Sequence, residues 1–315
     1  MVEHNMIDRL RAGQFTLMAE IGVNYYDVAT KLRITAMEAA KYMILTAANA
    51  GIHAVKFQTY KAETLASRYS PSYWDTSEEP TTSQYELFRK FDSFGADEYL
   101  ELSRFSTQVG VEFCSTPFDF TSADYLDTMM AVYKISSSDL TNLPFIEHIA
   151  KKGKPVLLSV GAANLDEIER AVSVIRTYND CELVLLHCVL EYPTPAAHAN
   201  LAKIRSLREH FPDAYIGYSD HTKPDPDVIK TAYLMGANLV EKHFTVDKTL
   251  SATIIIMRWI RMMQWRFCRV SPMWRRFSVA ACLLRCRVSR RHGKTRDAPL
   301  LRVFQFLLER SSRWI

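Results

Sequence analysis

The 315-residue chain carries 39 Lys+Arg against 35 Asp+Glu, but the net charge of +4 averages two unlike pieces. Up to Ser251 there are 24 basic and 33 acidic residues, net −9; the last 64 residues hold 15 and 2, net +13, with four of the five Trp and three of the six Cys. The basic average is therefore no nucleic-acid signal for the whole protein, and no run approaches the ~18 apolar residues of a membrane span.

The first stretch, residues 1–14 (MVEHNMIDRLRAGQ), reads as a charged extension without the apolar core of a secretion signal, so a cytoplasmic protein is expected. Cys114, Cys181 and Cys188 lack zinc-type spacing and are expected to be reduced.

From residue 15 a pattern repeats: a short apolar, β-branched run ending in polar residues, then a segment of helical spacing. The runs are 15–24, 53–59, 111–117, 131–139, 154–161, 182–189, 214–221 and 238–245. Between them lie amphipathic segments such as TAMEAAKYMILTAANAG, NLDEIERAVSVIRTY and DVIKTAYLMGA, the first and last with Gly as a stop signal. Eight strands alternating with seven helices predict a (β/α)8 TIM barrel over 15–251, with the eighth helix still to come.

Barrel chemistry collects at the C-terminal strand ends. Those ends supply Glu20, Lys56, Thr116, Lys134, Ser137, Asp139, Ser159, Tyr192, Ser219, His221, Lys242 and His243. His221 and His243 end consecutive strands, whose axes lie about 4.8 Å apart. They could share a divalent cation with open positions, or each could simply bond at the barrel rim. Lys56, Lys134 and Lys242 could neutralise a phosphate or carboxylate, or pair with Glu20, Asp139 and Glu241. A desolvated barrel lysine could also form a Schiff base. The 61–97 connection is long enough to act as a lid over this face.

The motifs AEIGVN, AVKFQTYKAETL, EFCSTPFD, VYKISSSDLTNLPFIEHIAKKGKPVLLSVG, LLHCVLEYPTP, IGYSDHT and VEKHFTVDKTL run in this order through residues 15–251. Together they resemble the sialic acid synthase family, which makes N-acetylneuraminate, legionaminate and pseudaminate. The resemblance implies condensation of phosphoenolpyruvate with an N-acylated aminohexose and release of phosphate. His221 and His243 would then hold Mn2+ or Mg2+, and Glu20 would orient or deprotonate the attacking water. Lys56, Thr116, Lys134, Ser137, Ser159 and Ser219 would bind phosphoenolpyruvate, with Asp139 and Lys242 as further substrate-side groups, and Tyr192 would face the sugar. The family is homodimeric, with a small C-terminal antifreeze-like domain.

Three places depart from the pattern: NYYD (Asn24 to Asp27) stands for NHNG, Leu190 for a common Asn or Ser, and SVGA (Ser159 to Ala162) for STGM. The first two lie on the expected sugar side and bear on the acceptor more than on the chemistry.

After DKTL the family pattern runs on as SGNDHYHAMDPDDA, whereas this chain reads SATIIIMRWIRMMQW. If one nucleotide is missing, Trp259–Ile260 and Met262–Met263 each overlap GAT (Asp), and Met263–Gln264 overlaps GCA (Ala). Met257–Arg258 admits GCG (Ala), and the Ile254–Met257 run admits Asp, His, Tyr and His. These fall where the pattern has those residues, so the tail from Ala252 reads as a shifted frame, costing the GND acid, helix eight and the C-terminal domain. The dimer is accordingly in doubt. The competing reading is a basic, aromatic arm for polyanions.

Overall fold

The computed structural model describes residues 5–72, 76 and 79–246. The shifted-frame tail and the eighth helix therefore lie outside the described residues. The elements, in chain order, are α1 (Met6–Arg11), β1 (Thr16–Gly22), α2 (Tyr25–Leu32), α3 (Ala36–Asn49), β2 (Ala54–Thr59), α4 (Ala62–Leu65), α5 (Gln84–Arg89) and α6 (Ala96–Val109). There follow β3 (Glu112–Pro117), α7 (Phe120–Leu126), β4 (Tyr133–Ile135), α8 (Leu143–Ala150), β5 (Val156–Ser159), α9 (Leu165–Tyr178), β6 (Leu183–His187), α10 (Lys203–His210), β7 (Tyr215–Asp220), α11 (Pro226–Met235) and β8 (Leu239–His243).

All eight expected strands are present and parallel, in the order β3-β2-β1-β8-β7-β6-β5-β4. β1 and β8, the first and last, pair from Thr16↔Leu239 to Glu20↔His243. That pairing wraps the sheet into a nearly closed barrel, leaving a seam between β3 and β4 where the Ser115 amide donates to Met130 Sδ at 3.0 Å. The helices follow their local signals. α3 starts on a Thr35–Glu38 capping box and α9 on an Asn164–Glu167 box. α11 stops at Gly236, whose φ of 111° suits glycine.

The segment 5–14 packs into the barrel core. Met6, Ile7 and Leu10 of α1 are buried in one cluster with Met18, Ala54, Cys114, Leu157, Val184, Leu186 and Leu239 of the strands and Val132 just before β4, which fill the barrel interior. The helix thus plugs the end of the barrel opposite the strand C-termini. Glu112 holds it there, accepting the Met6 amide at 2.5 Å. The long 61–97 connection carries two short helices, α4 and α5, and its far end is tied down. Lys61 donates to the Asp92 and Phe94 carbonyls at 2.6 and 2.9 Å, and Tyr26 on α2 bonds the Ser93 side chain and amide.

No helix among the described residues is long and apolar enough to cross a membrane. Cys114, Cys181 and Cys188 are free thiols.

Candidate active site

Alternation along the strands decides what meets at the barrel mouth. Met18 on β1, Ala54 on β2, Cys114 on β3 and Leu239 on β8 face the interior core, so residues in phase with them, one pleat further along, point inward nearer the C-terminal end. These are Glu20, Lys56, Thr116 and Glu241, with His243 two residues on.

They form one connected cluster. Lys56 Nζ lies 2.5 Å from Glu20 Oε2, with side chains only 4% and 2% exposed, and 3.9 Å from Glu241. It also donates to Thr116 Oγ1 at 3.1 Å. Gln58 donates to the other Glu20 oxygen at 2.8 Å. Gly22, at φ 56°, leaves room for this grip: a Cβ there would stand 3.0 Å from Glu20 Oε1. Ser219 on β7 donates to Glu241 Oε1 at 3.0 Å and lies 3.4 Å from His221 Nε2.

His221 Nδ1 donates to the Val189 carbonyl at 2.6 Å, which turns Nε2 toward the site. The His221 and His243 rings stand 5.9 Å apart between centroids. Tyr192, half exposed, lies over His221 with ring centroids 4.2 Å apart. On the other side of the mouth, Lys134 donates to Ser159 Oγ at 2.6 Å. Ser137 Oγ accepts the Gly161 amide at 2.9 Å and lies 3.1 Å from Cys188 Sγ.

Burial sets the protonation states. It raises the Glu20 carboxyl despite the opposing Lys56 charge, and the nearby Glu241 carboxylate raises it further. Burial acts on Glu241 in the same direction but loses: Lys56, Lys134 and the two imidazoles hold it down to about 2. Lys134 is pushed below the ordinary lysine range by burial, Glu241 opposing in part. The His221 imidazole is pushed down to about 4 by burial, and His243 to about 3 by burial and then by His221. Both imidazoles are therefore neutral, with ring lone pairs to offer at neutral pH.

Two expected site residues are not brought into the cluster. Lys242 is out of phase with Glu241 and His243, so its side chain leaves the strand on the outer side. There Nζ meets Asp220 Oδ2 at 2.6 Å and the Thr222 carbonyl at 2.5 Å. Asp139 stays in the turn after β4, accepting from Asn142 at 3.3 Å. Conversely, Glu241, expected only as an ion-pair partner for a lysine, belongs to the cluster, as does Gln58 near the end of β2. The signal for Glu241 was its spacing of two from His243, which puts both on one strand face.

A divalent cation can be tested against these donors. Among the described residues, His243 Nδ1 and Glu241 Oε2 are buried without a hydrogen-bond partner, and His221 Nε2 has only the long contact to Ser219. Two neutral imidazoles beside a carboxylate suit a borderline cation with open positions. Among the described residues no compact group of three His, Cys, Asp or Glu side chains completes the set. A 420 Å³ hollow beside α2 and an 840 Å³ hollow at the opposite end of the barrel are lined by other residues.

A nearly closed parallel barrel of eight strands, its mouth holding buried lysines, carboxylates and paired imidazoles, defines the class: a TIM-barrel-like α/β protein. Residues 43–254 match the NeuB family model, and the chain belongs to that family. It is 35% identical over 241 residues to the N,N'-diacetyllegionaminic acid synthase of Legionella pneumophila, covering 74% of this chain and 65% of that protein. A relative from Methanocaldococcus jannaschii is 37% identical over 216 residues, covering 68% of this chain and 59% of its own length. The chain thus spans less than two thirds of the length of either relative. The crystal structure of the Leptospira borgpetersenii N-acetylneuraminic acid synthetase superposes with a TM-score of 0.68 at 28% identity, covering 93% of this chain and 91% of that one.

Proposed function

We propose that this barrel condenses phosphoenolpyruvate with the open-chain aldehyde of an N-acylated aminohexose, giving a nonulosonic acid and inorganic phosphate. The carrying observation is the cluster at the mouth, where neutral His221 and His243 adjoin the Lys56–Glu20–Glu241 charges. The new C–C bond forms between phosphoenolpyruvate C3 and the aldehyde carbon. Water adds at the electron-poor C2, and the C2–O bond to phosphate breaks.

Lys56, Lys134, Thr116, Ser137, Ser159 and Ser219 line the anionic side of this reading, where buried ammonium groups and hydroxyls bind phosphate and carboxylate. Glu20, raised by burial, takes the water proton. Tyr192 at the open rim offers its ring to the sugar. This reading gives no substrate role to Lys242, which bonds Asp220 and Thr222, or to Asp139, which bonds Asn142. His221 and His243 would hold Mn2+ or Mg2+, which supplies Lewis-acid polarisation of the aldehyde oxygen when bound. A cytoplasmic setting belongs to the same proposal; a homodimer belongs to the frame-restored chain, since the shifted frame costs this one the C-terminal domain.

On the shifted-frame reading, residues 252–315 replace an acid and an H-Y-H stretch that this chemistry uses, so activity is expected of a frame-restored chain and impaired in this one. Resequencing the gene across the codons for Lys248 to Trp265 decides that point. The activity test is phosphate release that requires phosphoenolpyruvate, the aminosugar and the cation together. Lys134, its ammonium pushed down by burial, keeps a Schiff-base aldolase as the second reading. Borohydride trapping of a keto acid on Lys134 would select it. Loss of polyanion binding on deletion of 252–315 would instead favour a tail-driven binding role.

A further inference from the structure

Behind the paired imidazoles, on the outer side of β7 and β8, sits a second charged pair that the proposed reaction does not use. Asp220 and Lys242 are Cα partners in the β7–β8 ladder, and their side chains are 0% and 2% exposed. Each lies one residue from an imidazole: Asp220 precedes His221, and Lys242 precedes His243.

Among the described residues the Asp220 carboxylate makes four contacts, tying the Thr222 turn to β7 and β8. Oδ2 accepts Lys242 Nζ at 2.6 Å. Oδ1 accepts the Thr222 amide at 2.8 Å, the Thr222 hydroxyl at 2.8 Å and the Tyr218 hydroxyl at 3.2 Å. Lys242 closes the ring by donating to the Thr222 carbonyl at 2.5 Å. The backbone on both sides of His221 is thereby held from behind, while the His221 carbonyl accepts the Thr194 amide at 2.9 Å.

A buried ion pair is an expensive way to gain stability, because desolvation consumes most of its attraction and an apolar pair of the same volume often does as well. An apolar pair could not, however, bind the Thr222 amide, hydroxyl and carbonyl at once. What the charged pair adds is direction. We propose that Asp220 and Lys242 are positioning residues that fix the His221 turn, so that its Nδ1 stays on the Val189 carbonyl and its Nε2 stays turned into the site. This rests on the reading of His221 as a functional group; neither residue touches substrate.

The test uses full-length chain labelled with 15N-histidine and reads the His221 ring nitrogens by NMR, without metal. The Asp220→Asn/Lys242→Met double variant removes both charges with little change in volume and strands neither. The expected result is loss of the fixed Nδ1–H tautomer signature of His221 in a protein whose far-UV circular dichroism is unchanged. An unchanged His221 signature in that folded variant would overturn the proposal. If the double variant does not fold, Thr222→Val, which deletes one bond to Oδ1 and leaves every charge paired, carries the same readout. A shifted His221 signal then supports positioning, and an unshifted one overturns it. Mn2+ titration of the unaltered chain separately tests the functional reading: no binding there would remove the metal role and leave the tautomer result standing.

Discussion

Lys56 and Glu20 meet at 2.5 Å inside the barrel mouth, both nearly sealed from solvent. Neither charge is cheap to bury, and each is held by more than its partner: Thr116 and Glu241 on the lysine, Gln58 on the carboxylate. Breaking one side therefore strands the other. Lys56→Met is expected to destabilise the fold by about 3 kcal/mol, seen as a lower urea midpoint at unchanged slope.

Glu20→Gln keeps the shape and removes the proton acceptor. In a frame-restored chain it should lower kcat by about a hundredfold or more, with a smaller change in KM. Phosphate release under saturating substrates measures it. Equal turnover in the variant would assign the proton to another group.

His221→Ala and His243→Ala should each abolish tight Mn2+ binding, since among the described residues these two imidazoles are the neutral nitrogen donors at this end of the cluster. Electron paramagnetic resonance of free Mn2+ during titration gives the bound fraction directly. Retained affinity in both variants would place the cation elsewhere.

Stability should depend on pH through Glu112 at the plugged end. Burial raises its carboxyl to about 7, against the Met6 amide, which lowers it; Asp8 adds to the rise. Because the folded form holds the proton more tightly than the unfolded chain, the contribution is fully present below the unfolded carboxylate range. It is lost as pH rises through about 7. Glu112→Gln should flatten this part of the curve, a difference on the order of 3 kcal/mol. Thermal melts of both proteins between pH 4 and 8 check it, and parallel curves would remove the assignment.

Tyr26→Phe deletes the hydroxyl that joins α2 to Ser93. The loss of about 1 kcal/mol of local bonding should speed amide exchange at Ser93 about fivefold while leaving the β-strands unchanged. Hydrogen exchange read by mass spectrometry over residues 84–95 is the measurement.

Much of this molecule was legible in the chain alone. Apolar runs separated by capped amphipathic segments specify eight parallel strands, because only a barrel or doubly wound sheet buries runs that are apolar on both faces. The polar ends of those runs then had to gather at one rim. Even strand parity was readable: Glu241 and His243 share a face, and Lys242 takes the other. What parity could not say is which face meets the axis, for that depends on how β8 registers with β1 when the sheet closes, at Glu20↔His243.

Closure made Glu241 the centre of the cluster and turned Lys242 outward to Asp220. The protonation states were equally a tertiary matter, since burial in the closed barrel pushes the imidazoles down and, with Glu241 beside it, pushes Glu20 up. The same holds for α1, whose six residues look like a polar leader until Met6, Ile7 and Leu10 meet the residues that fill the barrel. Local sequence determines elements and faces; only the closed barrel decides which charges lose their water together.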